Sequence, residues 1–177
     1  DTSSVVAERW LSFRGNQERI LSVSPELCSW MRPDDLVLYQ LDLLPWPAYT
    51  LLVERFYGAN DFRVKLIVSE PGRSEYLLVS KTGVRYILHC CSVAAASRPS
   101  VLARLRSVMC RFHVDAAILA SPKDFPASII DVAREASVDL LSGNRLRAKI
   151  EMMPAEKRRA VLDSIRPKRE MDAGERG

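Results

Sequence analysis

Residues 73–92 read RSEYLLVSKTGVRYILHCCS. Glu75–Ser80 and Val84–Cys91 are two apolar runs of strand length, and Lys81–Thr82–Gly83 between them is a tight turn, so the pair predicts a β-hairpin. Immediately upstream, Phe62, Val64, Leu66 and Val68 alternate with Arg63 and Lys65, the period of two that marks a half-buried strand. Pro71–Gly72 lies within the connection Ser69–Ser74 and is a turn signal. Three strands therefore follow one another, and the hairpin makes this part of the sheet antiparallel.

The flanks add helices. Before the strands, Pro45 and Pro47 bracket Trp46 at a helix start, where proline is tolerated. Tyr49, Leu52, Val53 and Phe56 then repeat at helical spacing, and Gly58 ends the run. After the strands, Ser100 is expected to cap a helix with Val101, Leu102, Leu105, Val108, Met109 and Phe112 on one face. Ala116–Ala120 has no charge and reads as a central strand buried on both faces. Asp124 is expected to cap a helix over Pro126–Ala136 with Ile129, Ile130 and Ala133 inward. Val138–Leu141 is a last strand, Asn144 a cap for a helix through Met152, and Pro154 opens an amphipathic helix carrying Val161, Leu162 and Ile165. The later strand–helix–strand order requires a parallel portion. The expected class is α/β, a mixed central sheet with helices on both faces.

Three passages resemble the restriction-endonuclease-like fold, specifically the Mrr-type branch of the PD-(D/E)XK nucleases. WPAYTLLVERFYGANDFRV (residues 46–64) is similar to that family's opening helix and first strand. Residues 73–92 are similar to the hairpin that carries Gly-x-Asp at its start and Gln-x-Lys at its end. AAILASPKDFPASIIDVAREASVDLLSGNRL (residues 116–146) is similar to its closing part. The resemblance implies a site in which carboxylates bind Mg²⁺ and a lysine helps activate water, since hard cations take carboxylate oxygens and lower the pKa of bound water. Carried over, the helix glutamate falls on Thr50, the hairpin aspartate on Glu75, the glutamine on His89 and the lysine on Cys91. Only Glu75 keeps a carboxylate. The resemblance thus implies the fold with a degenerate catalytic set, and no cofactor. Glu54, one turn beyond Thr50, with Lys65 or Lys81, would be the residues of a relocated Mg²⁺-dependent endodeoxyribonuclease.

Other chemistries fare less well. His89 and Cys91 share a strand face while Cys90 points away, and Cys110 and His113 are three apart on a helix. Four such ligands could make a zinc site, but the spacing lacks a CxxC pattern. They read as buried small cysteines beside a hydrogen-bonded histidine, with Cys110 near the core face beside Met109. A Cys–His nucleophile is disfavoured because neighbours two apart on a strand stand side by side. Trp10, Trp30 and Trp46 read as packing residues.

The chain has 177 residues, 47% apolar and 27% charged, enough for one domain with a real core. Expected units are an N-terminal helical extension over 1–32, with a short helix at Val5–Phe13, a nuclease-like domain over 33–152, and a basic helical arm with a disordered tail over 153–177. Residues 145–177 hold ten Lys/Arg against six Asp/Glu, which accounts for the whole formal net charge of +4. Arg145, Arg147, Lys149, Lys157, Arg158 and Arg159 are therefore the candidates for sequence-independent phosphate contact with DNA, the alternative being a solvated helix face. Four cysteines, two adjacent, make a poor disulfide framework, and a reducing, cytoplasmic compartment is expected. No stretch has the length and apolarity of a membrane span, while Asp1 reads as the start of an excised piece to which an anchor could belong. The expected role is a catalytically inactive binding module, touching DNA or acting as a scaffold in a larger bacterial assembly. The alternatives are the relocated nuclease and a pure protein-interaction module.

Overall fold

The computed structural model describes residues 41–165. The readings at 1–32, including Val5–Phe13, Trp10 and Trp30, and the tail beyond Pro167 lie outside the described residues.

After a single 3₁₀ turn at Leu41–Leu43, α1 spans Trp46–Ala59, β1 Arg63–Glu70, β2 Arg73–Val79 and β3 Arg85–Cys91. A short helix α2, Val93–Ala96, precedes α3 at Ser100–Phe112. Then come β4 (Ala117–Ala120), α4 (Ala127–Glu135), β5 (Val138–Leu141), α5 (Gly143–Glu151) and α6 (Ala155–Asp163). The sheet order is β1-β2-β3-β4-β5. The first three strands are antiparallel, and β4 and β5 add in parallel. Crossovers of one hand that extend a sheet in one direction put their helices on the same face, and α3 and α4 do share a face.

The sheet divides the core in two. On one face, Tyr76, Leu78, Leu88, Cys90, Ile118, Ala120 and Leu141 pack under α1, α5 and α6. On the other, Ile87, Cys91, Ala117, Leu119 and Val138 pack under α3 and α4. The helix expected to begin a separate basic arm is thus part of the first core, because Val161, Leu162 and Ile165 are buried in it with α1.

Several local expectations change. A bulge at Ile67 breaks the period of β1: Leu66 pairs with Tyr76 but Val68 with Glu75, so Val68 leaves the face of Val64, and Leu66 is 52% exposed. Bulges of this kind blunt an edge strand. Ser100 and Asp124 do not cap: Pro99 and Pro126 hold those positions without side-chain bonds. Asp124 instead accepts from Asn144 Nδ2 at 2.8 Å, and Ser142 caps α5 by accepting from Arg145 N. Ile130 is 40% exposed because α4 buries only the Ile129–Ala133 stripe. Cys110 is exposed although Met109 beside it is buried. The two-residue turn Pro71–Gly72 joins Glu70 to Arg73, with Gly72 at φ 75°, a value suited to glycine.

Candidate functional site

Glu75 lies third in β2, directly opposite His89 of β3 in the antiparallel register. Strand alternation turns both toward α3, on the face of Ile87 and Cys91. The Glu75 side chain is only 1% exposed, and basic groups meet it on three sides. Arg104 Nε, from α3, donates to Glu75 Oε1 at 3.3 Å. Arg73 Nε stands 3.8 Å from the same oxygen, and its Nη2 is 2.7 Å from Glu70. His89 Nδ1 approaches to 3.3 Å but outside hydrogen-bond geometry. Burial pushes the His89 pKa down to about 4 against the upward pull of Glu75, so the imidazole is neutral at pH 7. The carboxylate is balanced by the two arginines.

Cys91 completes this side of the hairpin. Its Sγ donates weakly to Ala120 O at 3.6 Å, and burial pushes the thiol up to about 12. A protonated, enclosed thiol is neither a nucleophile nor a base that could take a proton from water. Cys110 and His113 sit at the exposed end of α3 with Arg106 and Asp115 around them, apart from the buried His89–Cys91 pair. Among the described residues no three His, Cys, Asp or Glu side chains are grouped to hold a metal.

Thr50 and Glu54 are on the other side of the sheet. Their helix, α1, packs against Tyr76, Leu78, Leu88 and Cys90, the strand positions that alternate with Glu75, His89 and Cys91. The Thr50 hydroxyl donates back along its own helix, 3.2 Å from both Trp46 O and Pro47 O. Tyr49, Ser74, Tyr76 and Cys90, uncharged side chains, are all buried. Burial first, then the nearby Cys90 and Glu54, pushes the Tyr76 phenol up to about 12. Trp46 packs partly against this core and tilts over Tyr49 with ring centroids 5.7 Å apart.

The remaining lysines are spread out. Lys65 is exposed on β1, in register with Leu77. Lys81 is in the turn at the far end of the hairpin, 3.0 Å from Asp61, whose carboxyl it holds below the usual range. A Mg²⁺ site needs several oxygen ligands converging on one point. The residues present do not fit that ion: the one carboxylate at the carried-over positions is enclosed by arginines, and the helix positions face away from it.

The C-terminal basic residues are also partly committed. Arg145 Nη1 is 2.6 Å from both Asp139 Oδ1 and Leu140 O. Lys157 stands 3.8 Å from Asp61, and Arg158 donates to Glu151 O at 3.3 Å. Half-buried Arg147 lines a cleft of about 390 Å³ with Asp42, Lys123 and Asn144. Lys149 and Arg159 are exposed. Two residues of the Glu75 cluster have no counterpart in the sequence reading. Arg73 carried a signal, since it lies two positions before Glu75 on the same strand face. Arg104, 29 positions downstream, carried none.

No family model matches the chain, and no curated protein matches it. Among solved structures, the chain is similar to the DNA modification-dependent restriction endonuclease AspBHI, with 13% identity and a TM-score of 0.46. The match covers 76% of this chain and 40% of that one.

Proposed function

We propose that this chain is a restriction-endonuclease-like domain that binds without cutting, a module contacting DNA through its phosphates. Support for the fold assignment comes from the order of elements: a helix, an antiparallel three-stranded meander, then parallel strands reached by crossover helices, in the register of the three passages that resemble the Mrr-type branch. Support for the loss of cleavage comes from one observation above the rest. Glu75, the sole carboxylate at the carried-over positions, is buried between Arg73, His89 and Arg104, with Thr50 and Glu54 behind the sheet. A carboxylate in that state is occupied by protein cations, and recruiting it to a metal would mean breaking a buried charge cluster.

Contact with DNA rests on the basic groups left at the surface, Lys149 and Arg159 among the C-terminal candidates. Titrating labelled duplex DNA at increasing salt tests it: binding that weakens linearly in log–log form supports phosphate contact, and absence of binding at low salt removes it. In that event the remaining reading is a protein-interaction module or scaffold.

A further inference from the structure

Basic residues also cluster locally outside the C-terminal helices. Residues 92–113 contain four arginines, Arg98, Arg104, Arg106 and Arg111, and no aspartate or glutamate. The first lies just ahead of α3 and the other three within it. The helix buries Val101, Leu102, Leu105, Val108 and Met109 against the sheet. On a helix of 3.6 residues per turn, that stripe leaves an outward arc running from Arg106 through Cys110, Ala103 and Ser107 to Arg111 and Arg104. Both borders of the arc are therefore cationic, and the residues between them are small. Arg98, Arg106 and Arg111 are exposed. Arg111 lies over the Phe112 ring at 5.1 Å from its centroid, a contact that leaves the charge in place. Arg104 is 49% exposed while its Nε caps buried Glu75.

We infer that the outer face of α3 is a phosphate-binding surface for the backbone of duplex DNA. The inference rests on the DNA-contact reading above and moves its centre from the C-terminal helices to α3. Arg145, Lys157 and Arg158 have protein acceptors within reach, whereas among the described residues Arg98, Arg106 and Arg111 form no ion pair, with Asp115 lining the same recess as Arg106. Arginine suits the partner, since its planar fork matches phosphate oxygens. A membrane is the poorer partner: an interfacial helix presents large apolar residues to lipid, and those of α3 are all turned into the core. Contacts of this kind position a duplex without reading its sequence.

The test is a salt titration of a short labelled duplex with the full chain and with the triple variant Arg98→Ala, Arg106→Ala, Arg111→Ala. Arg104 is left intact because it holds Glu75, and circular dichroism verifies folding. The slope of log affinity against log salt is expected to fall by roughly 2–3, at about 0.9 per lost phosphate contact, with at least about tenfold weaker binding at 100 mM salt. Replacing the same three arginines by lysine should retain most of the slope. Wild-type binding with an unchanged slope in the alanine variant overturns the α3 surface and leaves the DNA reading standing. Failure of the wild type to bind duplex at low salt overturns both, and binding to anionic vesicles alone reassigns the face to a membrane and overturns the inference.

Discussion

Glu75 organises the chemistry at the level of single side chains. Removing one partner of a buried ion pair costs about 3–5 kcal/mol when it strands the other charge. Here the stranding is partial, because Arg73 keeps Glu70, Arg104 reaches solvent and His89 is uncharged. Glu75→Ala should therefore destabilise by less, about 1–3 kcal/mol in urea unfolding, with a smaller loss for Glu75→Gln. A variant as stable as wild type would mean that the cluster contributes nothing. The pH dependence follows from His89. Its folded pKa, about 4, lies below the ordinary value of 6.5, so the unfolded chain binds the extra proton between those pH values. Stability contributed by the buried neutral imidazole is complete above pH 6.5 and falls as the pH drops toward 4, by up to about 1.4 kcal/mol per unit. In His89→Gln that slope should flatten; an unchanged slope would place the titration elsewhere. The hairpin wording singled out Glu75, and strand period put His89 and Cys91 on one face, but their register against Glu75 came only from the paired strands. The arginine that closes the cluster comes from a helix 29 residues on, and no local pattern announces a contact of that range.

Among the elements, α5 and α6 show why packing, not charge, governs the C-terminal part. A Cβ on Gly143 would lie 1.8 Å from Pro122 O, so the start of α5 approaches that backbone as only glycine allows. Gly143→Ala should cost more than about 2 kcal/mol, read as a lower Tm, since the obstacle is a main-chain oxygen that cannot swing away; a neutral effect would show that the 122–123 backbone yields. Helix α6 buries Val161 and Leu162, and Ile165 just past its end, in the core with α1, and each is worth about 1.5–3 kcal/mol. Deleting residues 154–177 should therefore leave a chain that is unstable or insoluble by sedimentation and unfolding, so DNA contact is better probed by point substitutions. The apolar spacing of α6 was readable, and so were all five strands, each as a short apolar stretch bounded by turn or helix signals. Caps were not, since Ser100 and Asp124 are good capping residues by type while prolines one or two positions away set the helix starts. Ile67 shows the same limit: a bulge adds one residue without any mark in the alternation.

For the molecule as a whole, the mixed sheet with helices on both faces emerged from the order of periods along the chain. Which helix covers which face did not. Strand period says that His89 and Cys91 share a side, and helix period says that Thr50 and Glu54 share a side, but neither says whether those sides meet each other or Glu75. They do not, and the sheet between them separates the candidates for metal chemistry into two sets that cannot act on one ion. The measurement that bears on this most directly is incubation of the purified full chain with supercoiled plasmid and Mg²⁺ or Mn²⁺, followed by electrophoresis. The expected result is intact supercoiled DNA with either ion, under conditions where the protein binds it. Nicked or linear product that disappears in Glu75→Ala, with that variant still folded, would contradict it.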